Sequence, residues 1–104
     1  MDIFPKGIKI IYNWKLMSRK YYGFVLYPFI FFRLPKEEVV SYMYKHELHH
    51  VHQIREMGVL RFYWEYLIQT LKYGYICNKF EVEARLAQAV ALTEEELEII
   101  NEAT

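Results

Sequence analysis

All four histidines of the chain, His46, His49, His50 and His52, fall inside the stretch YKHELHHVHQ, residues 44–53. His46 and His50 are four apart, which on an α-helix is one turn plus about 40° of rotation. Their imidazoles therefore leave the same face, one above the other. That geometry suits two ligands of one tetrahedral metal ion. Glu47, beside the first histidine, points to the flank of this face, where a carboxylate reaches a metal-bound water without ligating the metal. His-Glu-x-x-His is thus a short motif with a mechanism. Zinc lowers the pKa of its water to about 7, and a glutamate takes the proton as the water attacks a carbonyl.

A further ligand has to come from elsewhere in the chain. Cys77 is the only cysteine, so no internal disulfide can form and a cysteine-built zinc site is excluded. The metal must be held by histidine and carboxylate. FEVEARLAQ, some thirty residues downstream, offers Glu81 or Glu83. These are two apart, about 200° around a helix, so one faces a metal and the other faces solvent or a neighbour of the site. His49 and His52 lie off the ligand face and read as supporting, packing or surface groups. Gln53 falls one turn beyond His49 and His50, where it either pins the helix by a hydrogen bond or meets a substrate. Glu47-x-x-His50 also fits half of the di-iron bundle signature. That signature needs a second copy on another helix, and with every histidine in one window there is none.

These residues need rigid elements to hold them. The stretch from 36 to 57 is predicted to be one helix, with Pro35 at its start, Glu37 and Glu38 at its positive end, and Gly58 as its stop. Val39, Met43, His46, Glu47, His50 and Ile54 recur along it at helical spacing. A second helix is predicted over 59–74. Arg61, Glu65, Gln69 and Lys72 form one polar stripe and the remainder is apolar, so this helix is expected to be mostly buried. Asn78 is a plausible N-cap for a third helix over 79–92. Thr93 with Glu96 three residues on forms a capping box, opening a short acidic fourth helix or a frayed tail. Toward the N-terminus, IKIIYNWKLM (8–17) and YYGFVLYPFIFFR (21–33) read as strands, the second at a sheet edge because Pro28 lacks an amide hydrogen. SRKYYG between them is loop-like.

KHELHHVHQ followed by FEVEA resembles the gluzincin-type zinc metallopeptidases. It is more similar still to small bacterial and phage proteins that read His-Glu-x-x-His-x-x-Gln and then Glu-x-Glu-Ala. The resemblance covers roughly residues 22–90, although its specific part is about a dozen residues. It implies that His46, His50 and Glu81 bind Zn2+, that Glu47 is the general base, and that Gln53 and Ala84 match the smaller motif positions. It also implies that GFVLYPFIFFR lies beside the cleft and pairs with an extended peptide or protein substrate. One position departs from the pattern. Larger relatives often carry an Asp four residues after the ligand glutamate, to orient a zinc histidine, and here that residue is Arg85. The histidines must then be oriented by another acceptor. Tyr73 and Tyr75 are the candidates, by position and chemistry, for stabilising an oxyanion.

Bulk composition narrows the alternatives. At 104 residues the chain suits one domain, 1–104, and 54% apolar residues supply a compact core. Aromatics at 18% fill that core or line a groove. Thirteen basic and thirteen acidic residues cancel, which argues against nucleic acid as a partner. Lys15, Arg19 and Lys20 make a local basic cluster that reads as a solvated turn. The most apolar stretch, GFVLYPFIFF, is too short to span a bilayer as a helix, and MDIFPKGIKI has no leader pattern. A cytoplasmic protein is therefore expected. The expected fold is α+β: a small antiparallel N-terminal sheet packed on three to four helices, a minimal zincin-like core. Two further readings stand beside the peptidase. One is a zinc-stabilised binding or regulatory module, and the other is a metal-free interaction domain.

Overall fold

The structure, a computed structural model, describes residues 7–16 and 21–103. Three strands, β1 (Lys9–Ile11), β2 (Gly23–Leu26) and β3 (Phe29–Phe32), precede a single 3-10 turn at Lys36–Glu38 and four helices. The helices are α1 (Ser41–Met57), α2 (Val59–Tyr73), α3 (Lys79–Ala87) and α4 (Glu94–Ala103). The α+β class expected from the sequence is the one found.

The sheet has the order β1-β3-β2. β2 and β3 are antiparallel, pairing Gly23 with Phe32 and Leu26 with Phe29, whereas β1 runs parallel to β3. The sheet is therefore mixed, with the expected antiparallel pairing confined to β2 and β3. The segment 21–33 is not one strand. It folds back on itself at Tyr27-Pro28, a cis peptide bond, so Pro28 marks a hairpin turn. Proline occurs where the ladder needs no amide, and a tight turn meets that condition as well as a sheet edge does. Of the basic cluster, Lys15 donates to the Arg33 carbonyl at 3.0 Å. Arg19 and Lys20 lie outside the described residues, as does the first half of the predicted SRKYYG loop.

One face of the sheet supplies Ile8, Ile10, Ile30 and Phe32 to the main core, where they meet Tyr44, Leu48 and Val51 of α1 and Ile100 and Ala103 of α4. A second, smaller cluster joins Ile54, Phe62 and Phe80, one residue each from α1, α2 and α3. Helix α1 is thus enclosed on two sides, and its middle turns are rigid. Gly58 ends α1 and begins α2 with φ of 89°, a conformation costly for any residue with a Cβ. Its amide bonds Ile54 and its carbonyl receives Phe62, so the reversal is tightly held.

Two helices differ from expectation. The 36–57 helix is interrupted after its first turn, leaving Val39 and Val40 extended. The third stops at Ala87. The larger difference is α2, of which only Phe62 is fully buried. Leu60, Trp64, Leu67 and Leu71 are 88%, 65%, 49% and 77% exposed. The expectation of a mostly buried helix is therefore overturned. α2 contacts the body through the edge bearing Phe62, Tyr63 and Tyr66, and no element of the described chain covers its other side. Among the described residues no helix is long and apolar enough to cross a membrane.

Candidate metal centre

The site is assembled by two helices that cross at their buried faces. α1 contributes His46, Glu47, His50 and Gln53, all buried. α3 contributes Glu81 from its first turn, also buried. Asn78 fixes where that turn begins. Its Oδ1 accepts from the Phe80 amide at 2.8 Å, the expected N-cap, and its Nδ2 donates to the Tyr66 carbonyl and the Thr70 hydroxyl at 3.1 and 3.0 Å. From the other side, Gln53 Nε2 donates to the Phe80 carbonyl at 3.1 Å, fastening α1 to α3. This is the pinning role open to Gln53 in the sequence.

The two imidazoles converge on one carboxylate. His46 Nε2 lies 2.9 Å from Glu81 Oε1, and His50 Nε2 lies 3.1 Å from Glu81 Oε2. The candidate ligand atoms of these three residues are all within 4.8 Å of one another. Ligands around a tetrahedral ion at ordinary bond lengths are about 3.3 Å apart, so the spacing is already close to that of a coordination shell. The opposite ring nitrogens settle the tautomers. His46 Nδ1 faces Gln88 Oε1 at 2.5 Å and His50 Nδ1 faces Gln53 Oε1 at 2.8 Å. A carboxamide oxygen only accepts, so each Nδ1 carries the proton and each Nε2 is the atom turned to the centre.

Nε2 lone pairs set against carboxylate oxygens need a positive charge between them, supplied by a proton or by a metal ion. At His50 a proton can do this work. Burial pushes the His50 pKa down, but the Glu81 carboxylate outweighs it and raises His50 overall. Burial likewise pushes Glu81 up, yet hydrogen bonds from His46, His50 and Tyr66 hold it well below the usual carboxylate range. His46, His50 and Glu81 form a buried group that can hold a metal ion, and the donor set fits one.

Glu47 sits beside this group without joining it. It is 3% exposed, and its pKa is raised to about 7, chiefly by burial. His50 and His46 oppose that rise and Glu81 adds to it. The carboxyl is poised near neutrality, where a group can both take and release a proton. Tyr66 completes the surroundings by donating its hydroxyl to Glu81 Oε2 at 2.5 Å.

Two clefts open onto the site. The first, about 380 Å³, runs between β2 and α2 and is bordered by Gly23, Phe24, Val25, Phe62 and Tyr63 as well as the metal group. The second, about 540 Å³, runs toward the 73–76 turn and is bordered by Tyr22, Ile76, Arg85 and Gln88. Tyr21, Gly23, His46, Glu47 and Tyr75 border both. Of the two oxyanion candidates, Tyr75 is at the junction of the clefts and Tyr73 borders only the second, 58% exposed. Burial first, then the Glu81 and Glu47 carboxylates, push the Tyr75 hydroxyl pKa far up, so it stays protonated and able to donate.

The remaining sequence candidates are spread around the centre. Glu83 points away, its side chain 59% exposed and 3.6 Å from His49. His52 is on the far side of α1, 3.7 Å from Glu96. Ala84 is fully buried. Arg85 reaches back to the Ile76 carbonyl and takes no part in orienting the histidines. Gln88 and Tyr66 were not singled out by the sequence. Gln88 had a usable signal, since it stands seven residues, two helical turns, after Glu81 and so on the same face. Comparison with protein-family models, with curated proteins and with solved structures gives no match for this chain.

Proposed function

We propose that the protein is a zinc-dependent peptidase built on a minimal gluzincin-type core, with His46, His50 and Glu81 as ligands and Glu47 as general base. The observation that carries this reading is the convergence of both Nε2 atoms on Glu81, with the Glu47 carboxyl held beside them at the junction of two clefts. When bound there, zinc supplies a Lewis acid for water and for the peptide carbonyl. Glu47 ionises more readily when a cation is held nearby. Its carboxylate then takes a proton from the attacking water and releases it to the departing amine. Tyr75, protonated and at the cleft junction, donates to the carbonyl oxygen as negative charge develops on it. The substrate is an extended peptide. β2 is the strand it pairs with, because β3 lies between two neighbours and has no free edge.

One observation favours a second reading, a zinc-stabilised binding or regulatory module. The ligands join α1 to α3, so a metal bound there also cross-links the fold. Glu47→Gln separates the two. It keeps size and hydrogen bonding and removes the basic oxygen. Metal content, expected at about one zinc per chain, should be unchanged. Cleavage of a mixed peptide library should fall by roughly a hundredfold or more. No cleavage by fully zinc-loaded wild type would leave the module as the better reading.

A further inference from the structure

We infer that Tyr63 sets the length of peptide that the cleft accepts, by occupying the free edge of β2 just beyond Val25. The inference rests on the peptidase reading for its catalytic consequence, but its geometry is independent of it. In the antiparallel pair, Arg33 donates its amide to the Tyr22 carbonyl at 2.8 Å. Backbone groups alternate in direction along a strand, so Tyr22, Phe24 and Leu26 face β3, while Gly23, Val25 and Tyr27 face away from it, and Gly23 and Val25 line the first cleft. Tyr63 takes two of these outward groups at once. Its hydroxyl donates to the Val25 carbonyl at 3.0 Å and accepts from the Tyr27 amide at 3.0 Å. Both hydrogen-bonding capacities of the phenol are used, and a strand laid along β2 finds no backbone partner past that point.

What remains for an incoming strand is short. Gly23 offers its amide and carbonyl, and Val25 offers its amide. At about 3.4 Å per residue, Gly23 to Val25 spans roughly 7 Å, the length of two residues. Gly23 borders both clefts together with His46 and Glu47, so the reacting bond lies at its level. From there the chain can run freely into the second cleft, past Ile76 and Arg85. In the other direction it meets Tyr63 after about two residues. Antiparallel pairing, the more stable arrangement per residue, places the N-terminal part of the peptide on the Tyr63 side. The protein therefore removes short pieces, two or three residues long, from the N-termini of peptides. Tyr63 is held for this task by its edge-on contact with Phe62, 5.2 Å between ring centroids, and Phe62 is itself buried.

The test has two arms. In the first, zinc-loaded wild type and Tyr63→Ala are given peptides of 4–12 residues with free N-termini, and the N-terminal fragments are sized by mass spectrometry. Wild type should release fragments of two or three residues, and Tyr63→Ala should shift the distribution to longer ones. Equal release of long fragments by wild type, or an unchanged distribution in the variant, would overturn the inference. In the second arm, 15N-labelled Glu47→Gln protein is titrated with an unstructured nonapeptide, with and without Tyr63→Phe, which keeps the ring against Phe62. The Gly23 and Val25 amides should shift while Tyr27 stays still, and Tyr27 should join them once the hydroxyl is gone. A Tyr27 shift with Tyr63 intact, or no shift at Gly23 and Val25, overturns the edge assignment. Total absence of cleavage with the expected amide shifts would instead count against the peptidase reading, leaving Tyr63 as the limit of a peptide-binding edge.

Discussion

A carboxamide is a weaker acceptor for a histidine N–H than a carboxylate, and both histidines here are oriented by carboxamides, Gln88 and Gln53. The neutral partner fixes each ring without drawing its proton away, so the Nε2 atoms gain orientation and little extra basicity. Replacing Gln88 by Leu should therefore lower metal affinity by about 10–100-fold. Arg85→Ala, four residues after Glu81, should leave affinity unchanged, because Arg85 bonds the Ile76 carbonyl and neither histidine. Isothermal titration with zinc checks both, and equal losses in the two variants would remove Gln88 from its role. The pair His46 and His50 is legible in the sequence because four-residue spacing has one geometric meaning on a helix. The choice between Glu81 and Glu83 is not legible from spacing alone. It depends on where Asn78 starts α3, which sets the rotation of every side chain after it. Tyr66 is hidden for a different reason: in a chain with ten tyrosines, one hydroxyl aimed at Glu81 looks like any other core ring.

At the level of elements, α4 is held by the capping box read from the sequence, with Thr93 and Glu96 exchanging hydrogen bonds of 2.9 and 3.1 Å. The same Glu96 carboxylate reaches Lys45 on α1 at 2.7 Å in a buried pair. Burial pushes the Glu96 pKa up, but Lys45 and the Thr93 amide outweigh it and leave it below its ordinary 4.5. A carboxylate lowered in the folded state contributes stability that is present above 4.5 and is lost as pH falls through the lower, folded value. Urea unfolding measured from pH 6 down to pH 3 should show this loss, and Glu96→Gln should flatten it. An equally steep acid limb in the variant would place the effect elsewhere. Two element readings failed for physical reasons. Pro28 excludes a central strand but does not distinguish an edge from a turn. The apolar side of α2 predicts burial only if something packs on it, and its sequence carries no information about whether the rest of the chain reaches that far.

Taken as a whole, the molecule joins α1 to α3 through the Ile54–Phe80 apolar contact and through polar contacts, the Gln53 bond to Phe80 and the histidine–Glu81 pairs. A metal ion in that seam stabilises the fold by mass action. At about a hundredfold excess over the dissociation constant the gain is about 2.7 kcal/mol, or roughly 10 °C or more in melting temperature for a chain of this size. Circular dichroism melts with zinc and with chelator should differ by that amount, and superimposable melts would exclude a metal shared by α1 and α3. The bare side of α2 has a separate consequence, for handling. Leu60, Trp64, Leu67 and Leu71 present a greasy ridge to water in the fully folded state. Dyes that light up on apolar surface should glow with this protein at room temperature, before any heating. A dye-based melt would then start from a high baseline and report a native fold as half-molten, whereas Leu60→Glu combined with Leu71→Glu should darken that baseline and leave the backbone spectrum unchanged.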